Sequence, residues 1–320
     1  MNNQEVLIIG SGVNGLSCGI KFLEAGFGVK IIARDLPPKT TSNTAAAIWY
    51  PYKAYPEDKV SKWGEYTLKQ YYRLTKIPQS GITTITLIEL CKNYTSDPWW
   101  KEEVRQFRYL SKAEIPTNYE IGYEIEVPLI DTPIYMNYLL EQFRILGGSI
   151  ELRTVFSLGE LEGSQYNLVV NCAGLGAKEI TSDDRLYPIR GQLVKIQAQN
   201  IKYSLIDQSN YSAPTYIVPR SKDCILGGTA QDNDWSLKAN DRTAKEILSK
   251  CQKLEPSLKG AKVIQNLVGL RPGRKKVRLE LEEFSPNLKV IHNYGHGGAG
   301  FTLSWGCARE VLELARAKIN

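Results

Sequence analysis

The stretch Glu5-Val6-Leu7-Ile8-Ile9-Gly10-Ser11-Gly12-Val13-Asn14-Gly15 decides how this chain is read. An aliphatic run of strand length ends at a glycine, which predicts a short buried strand. From Asn14 to Ala25, apolar residues recur at Leu16, Ile20 and Leu23, and the pattern stops at Gly26. That predicts a helix with Gly26 just past its C-terminal end. Val29-Lys30-Ile31-Ile32 is a second strand. A G-x-G-x-x-G turn between a strand and a helix is the setting of a dinucleotide fingerprint. In it Gly10 makes the tight turn, Gly12 lets a pyrophosphate approach the backbone, and Gly15 lets helix pack on strand. Ser11, Val13 and Asn14 complete the turn, and the helix N-terminus faces the phosphates. Asp35 lies 20 residues beyond Gly15, where a ribose-binding carboxylate is expected, and Arg34 stands beside it.

The remaining chain alternates less regularly. Asp58 to Leu74 has helical character, and Ile82–Leu90 and Tyr123–Val127 read as strands. Asp131-Thr132-Pro133 opens another helix. Ser149–Val155 and Asn167–Cys172 are strands; the second, apolar on both faces, fits a buried parallel strand. Gln192–Ile196, Thr215–Val218, Cys224–Gly227, Val263–Gly269 and Lys289–His292 are further strands, with helices over Asn240–Leu254 and to about Ala317. The fingerprint does not separate NAD from FAD. The small residues that end the strand at Val169–Gly174 let a second stretch of backbone approach the same cofactor, which favours FAD.

Composition narrows the chemistry. Among 320 residues there are two histidines, His292 and His296. A Ser–His–Asp or Cys–His triad therefore has to draw on this pair, and no metal site is expected. The net charge of +6 is mild, and the basic run Arg271–Arg278 is followed at once by Glu280, Glu282 and Glu283, so no nucleic-acid partner is expected. The six cysteines form no C-x-x-C pair and read as buried thiols of a reducing compartment. No secretory leader, membrane-spanning run or C-terminal peroxisomal address is apparent, so the expected location is the cytoplasm.

The second decisive stretch is Val290-Ile291-His292-Asn293-Tyr294-Gly295-His296-Gly297-Gly298-Ala299-Gly300-Phe301-Thr302. A strand runs into a turn with four glycines in six residues and then into a helix, whose N-terminus favours developing negative charge. This stretch resembles the signature of the D-amino-acid oxidase family of FAD enzymes. Ala33–Pro37, Ala45–Tyr52, Val169–Gly174, Tyr216–Pro219, Leu226–Gly228 and Val268–Pro272 resemble further family motifs in order, so the resemblance spans essentially the whole chain.

The resemblance implies an α/β FAD-binding Rossmann-like domain interleaved with an α+β substrate domain built on a mostly antiparallel sheet. Residues 1–50, 132–190 and 263–320 are expected in the first, 51–131 and 191–262 in the second. It implies that Arg271 pairs with the substrate α-carboxylate, as a guanidinium fork suits a planar carboxylate. Tyr216 and Tyr211 would reach the same carboxylate, and the Gly298 carbonyl would accept from the substrate amine. FAD contacts are implied at Gly10 to Gly15, Arg34, Asp35, Thr41, Ser42, Ala46, Ala47, Ile48, Val155 and Gly297, Gly298, Ala299, Gly300, Phe301 and Thr302, with the ribose falling to either Arg34 or Asp35.

The implied reaction is oxidation of a D-amino acid at Cα with O2 as acceptor, by a homodimer. Ile48, Tyr50 and Leu205 are expected pocket walls for neutral or bulky side chains, and Asp207 is a candidate partner for basic ones. D-aspartate oxidation, glycine or sarcosine oxidation, and a non-catalytic flavin- or NAD-binding module are the alternatives.

Overall fold

The computed structural model describes residues 4–51, 54–94, 96–198, 200–210 and 214–317. In chain order the first elements are β1 (Glu5–Ile9), α1 (Val13–Glu24), β2 (Gly28–Ala33), α2 (Glu57–Leu74), β3 (Ile82–Cys91), β4 (Arg105–Tyr109), β5 (Ile121–Ile130), α3 (Thr132–Ile145), β6 (Ser149–Leu152) and β7 (Leu168–Asn171). A short α4 (Ala177–Ile180) precedes β8 (Tyr187–Gln197), β9 (Tyr203–Asp207), β10 (Thr215–Pro219), β11 (Asp223–Gly227) and β12 (Gln231–Asp232). The chain closes with α5 (Asp241–Leu254), β13 (Val263–Gly273), β14 (Arg278–Ser285), β15 (Leu288–Tyr294) and α6 (Gly300–Ala317).

Two sheets result. The smaller has the order β14-β15-β7-β1-β2-β6, parallel except for β14 at one edge. The larger runs β12-β8-β11-β10-β9-β3-β5-β4, with β13 also on β8, and is antiparallel except at β3–β9. Alternation along β1 shows why the smaller sheet is covered on both faces. Val6 and Ile8 enter the core shared with α1, α3 and α6, while Leu7 and Ile9 enter a second core with Val155, Leu158 and Ile180. Fully burying one such side chain contributes about 1.5–3 kcal/mol. Among the described residues no helix is long and apolar enough to cross a membrane.

The expected division of the chain differs from the observed one at two places. β13 lies along β8 from Val263 to Gly273, so the strand that carries Arg271 belongs to the larger sheet. Its backbone finds its ladder partners on β8, and only after Gly273 does the chain cross to the smaller sheet. Helix α2 also packs on α6. Its stripe of Val60, Trp63, Leu68 and Tyr71 shares a core with Leu303, Cys307 and Val311, and the Tyr71 hydroxyl donates to Phe301 O at 2.8 Å. All six thiols are free; five are buried and Cys91 is half-buried.

Candidate active site

A cleft of about 1410 Å³ lies where the two sheets meet, and most of the expected site residues line it. From the smaller sheet come the turn Gly10–Asn14, the β2 end at Arg34 and Asp35, and Val155. The loop after β2 adds Thr41, Ser42, Ala46, Ala47 and Ile48, and the larger sheet adds Tyr216 and Arg271. Gly297, Gly298, Gly300, Phe301 and Thr302 close it from the turn before α6.

The fingerprint turn is held by sterics. Gly10 has φ +102°, and a Cβ there would lie 2.5 Å from Cys172 O. A Cβ on Gly15 would lie 1.9 Å from Gly10 O, so helix and strand meet at backbone distance. Gly15 therefore packs the turn and does not reach the cleft. Ser42 Oγ accepts from Val13 N–H at 3.0 Å, and Ser11 Oγ donates to Asp35 O at 2.5 Å. Arg34 and Asp35 pair with each other, Nε to Oδ2 at 2.7 Å, at the cleft edge. The N-terminus of α1, whose N-cap residue Gly12 offers no side chain, opens onto the cleft. A backbone-lined cradle, a helix N-terminus and a carboxylate at the β2 end are the donor set a dinucleotide needs, and these residues fit one.

The turn before α6 is equally constrained. Gly297 N–H donates to Pro272 O at 2.8 Å, tying this turn to the residue after Arg271. His296 lines the cleft; burial pushes its imidazole down to about 4 and leaves it neutral, with Nδ1 3.5 Å from Asn14 Nδ2 and Nε2 without a partner among the described residues. His292 does not reach the cleft. It lies under β14, with Nε2 2.9 Å from Glu282 Oε2, and burial with the nearby Arg278 lowers its pKa. Ala299 is buried in the core, also away from the cleft. Behind the turn, buried Asp183 accepts from Arg185, Arg274 and the Tyr294 hydroxyl, each at 3.0 Å.

Tyr216 and Arg271 are seated over glycines of neighbouring strands. Tyr216 stands directly opposite Gly227, where a Cβ would lie 2.0 Å from the ring Cζ. A Cβ on Gly191 would lie 2.4 Å from Arg271 Nη1, and that nitrogen donates to Thr229 O at 3.1 Å. Tyr211 lies outside the described residues.

Two substrate-wall expectations are corrected. Leu205 packs into the core under α5; its neighbour Ile206 lines the cleft, with Ile48, Tyr50 and Gln208. Adjacent strand residues face opposite ways. By the same alternation Asp207 is turned from the cleft: Tyr119 donates to its Oδ2 at 2.8 Å, and the Ser209 amide and hydroxyl donate to its Oδ1. Thr229, Ile206 and Gln208 carry no motif; strand register assigns Ile206 to the cleft, and the segments after β9 and β11 bring Gln208 and Thr229 to it.

The profile of the family described as FAD dependent oxidoreductase matches residues 5–314. The chain belongs to this family. It is an oxidoreductase, and FAD is the dinucleotide its cradle fits. Its relatives include a D-amino-acid oxidase of Rubrobacter xylanophilus, 45% identical over 315 residues, covering 98% of this chain and 96% of that one. A D-amino-acid oxidase of Dictyostelium discoideum is 42% identical, covering 97% and 90%. A D-aspartate oxidase of Homo sapiens is 33% identical, covering 98% and 95%. Among solved structures, glycine oxidase from Geobacillus kaustophilus superposes with a TM-score of 0.81 at 18% identity, covering 98% and 95%, a likeness of fold.

Proposed function

We propose that this enzyme oxidises D-amino acids to 2-oxo acids, ammonia and hydrogen peroxide, with neutral and bulky side chains preferred. The observation that carries this reading is the meeting of Arg271, Tyr216 and the Gly297–Gly298 turn in one cleft. Relatives at 42–45% identity over nearly the whole chain that are named D-amino-acid oxidase support it. Arg271 holds the α-carboxylate bidentately and the Tyr216 hydroxyl donates to the same group. The Gly298 carbonyl accepts from the amine, which sets the Cα–H bond toward the cofactor. Bound FAD supplies the hydride acceptor and the route for electrons to O2. No side-chain base is required when the amine enters neutral; positioning supplies the protein's share of the catalysis. Ile48, Tyr50 and Ile206 wall the side chain. The smaller sheet serves the cofactor and the larger one the substrate, in a cytoplasmic homodimer.

Anaerobic addition of D-alanine to the yellow holoenzyme is expected to bleach the flavin absorbance, and in air to yield peroxide. A yellow protein unmoved by every D-amino acid would refute the reading. Arg271→Leu is expected to raise KM by about a hundredfold with FAD retained, since each hydrogen bond to a charged group contributes about 1.5–3 kcal/mol.

A further inference from the structure

Glu89 lies one strand behind the wall of the cleft. On β3 it stands beside Ile206 of β9 and opposite Tyr123 of β5, so its side chain leaves the sheet on the face where Ile206 lines the cleft. It is 3% exposed. The Cys91 thiol donates to its Oε1 at 3.9 Å, the Tyr123 and Tyr50 hydroxyls act on the carboxyl as hydrogen-bond donors, and Oε2 has no partner among the described residues. The Tyr50 hydroxyl in turn accepts from Gln208 Nε2. Tyr50 and Gln208 both line the cleft, so one line of contacts runs from the cleft surface through Tyr50 to a buried carboxylate. Among the described residues no arginine, lysine or histidine acts on Glu89. An uncompensated buried carboxylate is costly, and such groups beside a cleft mark functional sites.

We propose that Glu89 is a positioning residue for substrate choice: through Tyr50 it makes the side-chain wall electronegative, so that cationic side chains gain and acidic ones lose relative to the neutral ones the cleft prefers. This rests on the D-amino-acid oxidase reading above. Tyr50 gives its proton to Glu89, and its oxygen accepts from Gln208 at the cleft. The carboxylate's charge acts across apolar surroundings, where screening is weak.

The device is pH-dependent. Burial raises the Glu89 carboxyl to about 7, against the opposing bonds from Tyr123, Tyr50 and Cys91. The groups facing it stay protonated there: burial and Glu89 itself push Tyr123 far up, and burial pushes Cys91 up to about 12. β9 presents the apolar Ile206, and Trp100 packs edge-on against both Tyr50 and Tyr123. Glu89 is neutral below its pKa, so the negative wall appears as pH rises through about 7.

The test compares D-lysine with D-norleucine, which has the same chain length without the ammonium. Both share the titration of the α-amine, and the side-chain ammonium stays charged to about pH 10, so the ratio of their kcat/KM values isolates the wall. In the native holoenzyme this ratio is expected to rise about tenfold between about pH 5.5 and about pH 8.5, as one charge appears at partly screened range. In Glu89→Gln the ratio is expected to be flat. Tyr50→Phe, which keeps the bulk of the wall and severs the relay, is expected to flatten it as well and serves if Glu89→Gln does not accumulate. A ratio that ignores pH in the native enzyme, or rises equally in the variants, overturns the inference. Failure to turn over D-norleucine removes the D-amino-acid oxidase reading itself and this inference with it.

Discussion

A tyrosine ring over a glycine is a small arrangement with a measurable consequence. Because a Cβ at position 227 would lie inside the Tyr216 ring, Gly227→Ala must tilt that ring or move β11. Overpacking of this kind costs about 1–3 kcal/mol. The expected outcome is a KM raised about tenfold, the equivalent of about 1.4 kcal/mol, with FAD still bound. Flavin absorbance and steady-state kinetics on the same preparation check both halves. Tyr216 and Arg271 were readable from their motifs. The glycines beneath them were not, because a glycine's partner across a ladder depends on register. The exchange of Leu205 for Ile206 has the same origin: one residue along a strand reverses the face.

Legibility at the level of elements follows burial. β1, β2 and β7 are mostly aliphatic because both faces of the smaller sheet are covered. β14 is not among the expected strands, because its charged residues interrupt any apolar run. It is an edge strand whose charges are paired, Arg278 with Glu280 and Glu282 at 2.7 and 2.8 Å, and Glu282 with His292. β4, largely exposed, and the short β9 also carried no pattern long enough to read. The β1–α1 turn, by contrast, is legible because its close backbone approaches admit only glycine at positions 10 and 15. Gly15→Val would force α1 away from Gly10 O, and the expected product is a colourless or insoluble protein. Flavin retained after gel filtration of that variant would contradict the role given to the turn.

At the scale of the whole molecule, the two sheets are joined around Asp183. Burial alone would raise its carboxyl, but Arg185, Arg274 and Tyr294 together hold it well below the usual carboxylate range. A carboxyl held below its unfolded value stabilises the fold at neutral pH, and that stability is lost as pH falls below about 4. Asp183→Asn leaves the buried Arg274 guanidinium uncompensated, Arg185 being exposed, and is expected to cost about 3 kcal/mol at neutral pH, with a shallower loss on acidification. Urea unfolding across a pH series reads both. One backbone hydrogen bond at this junction, from Gly297 N–H to Pro272 O, has a wider consequence. Arg271 precedes one end of it and Gly298 follows the other, so on the proposed reading the two grips on the substrate's Cα form a caliper of fixed gauge. Which mirror image fits is then decided by chain connectivity and not by the walls around the side chain. Variants that widen the walls to admit new substrates are therefore expected to keep their choice of hand.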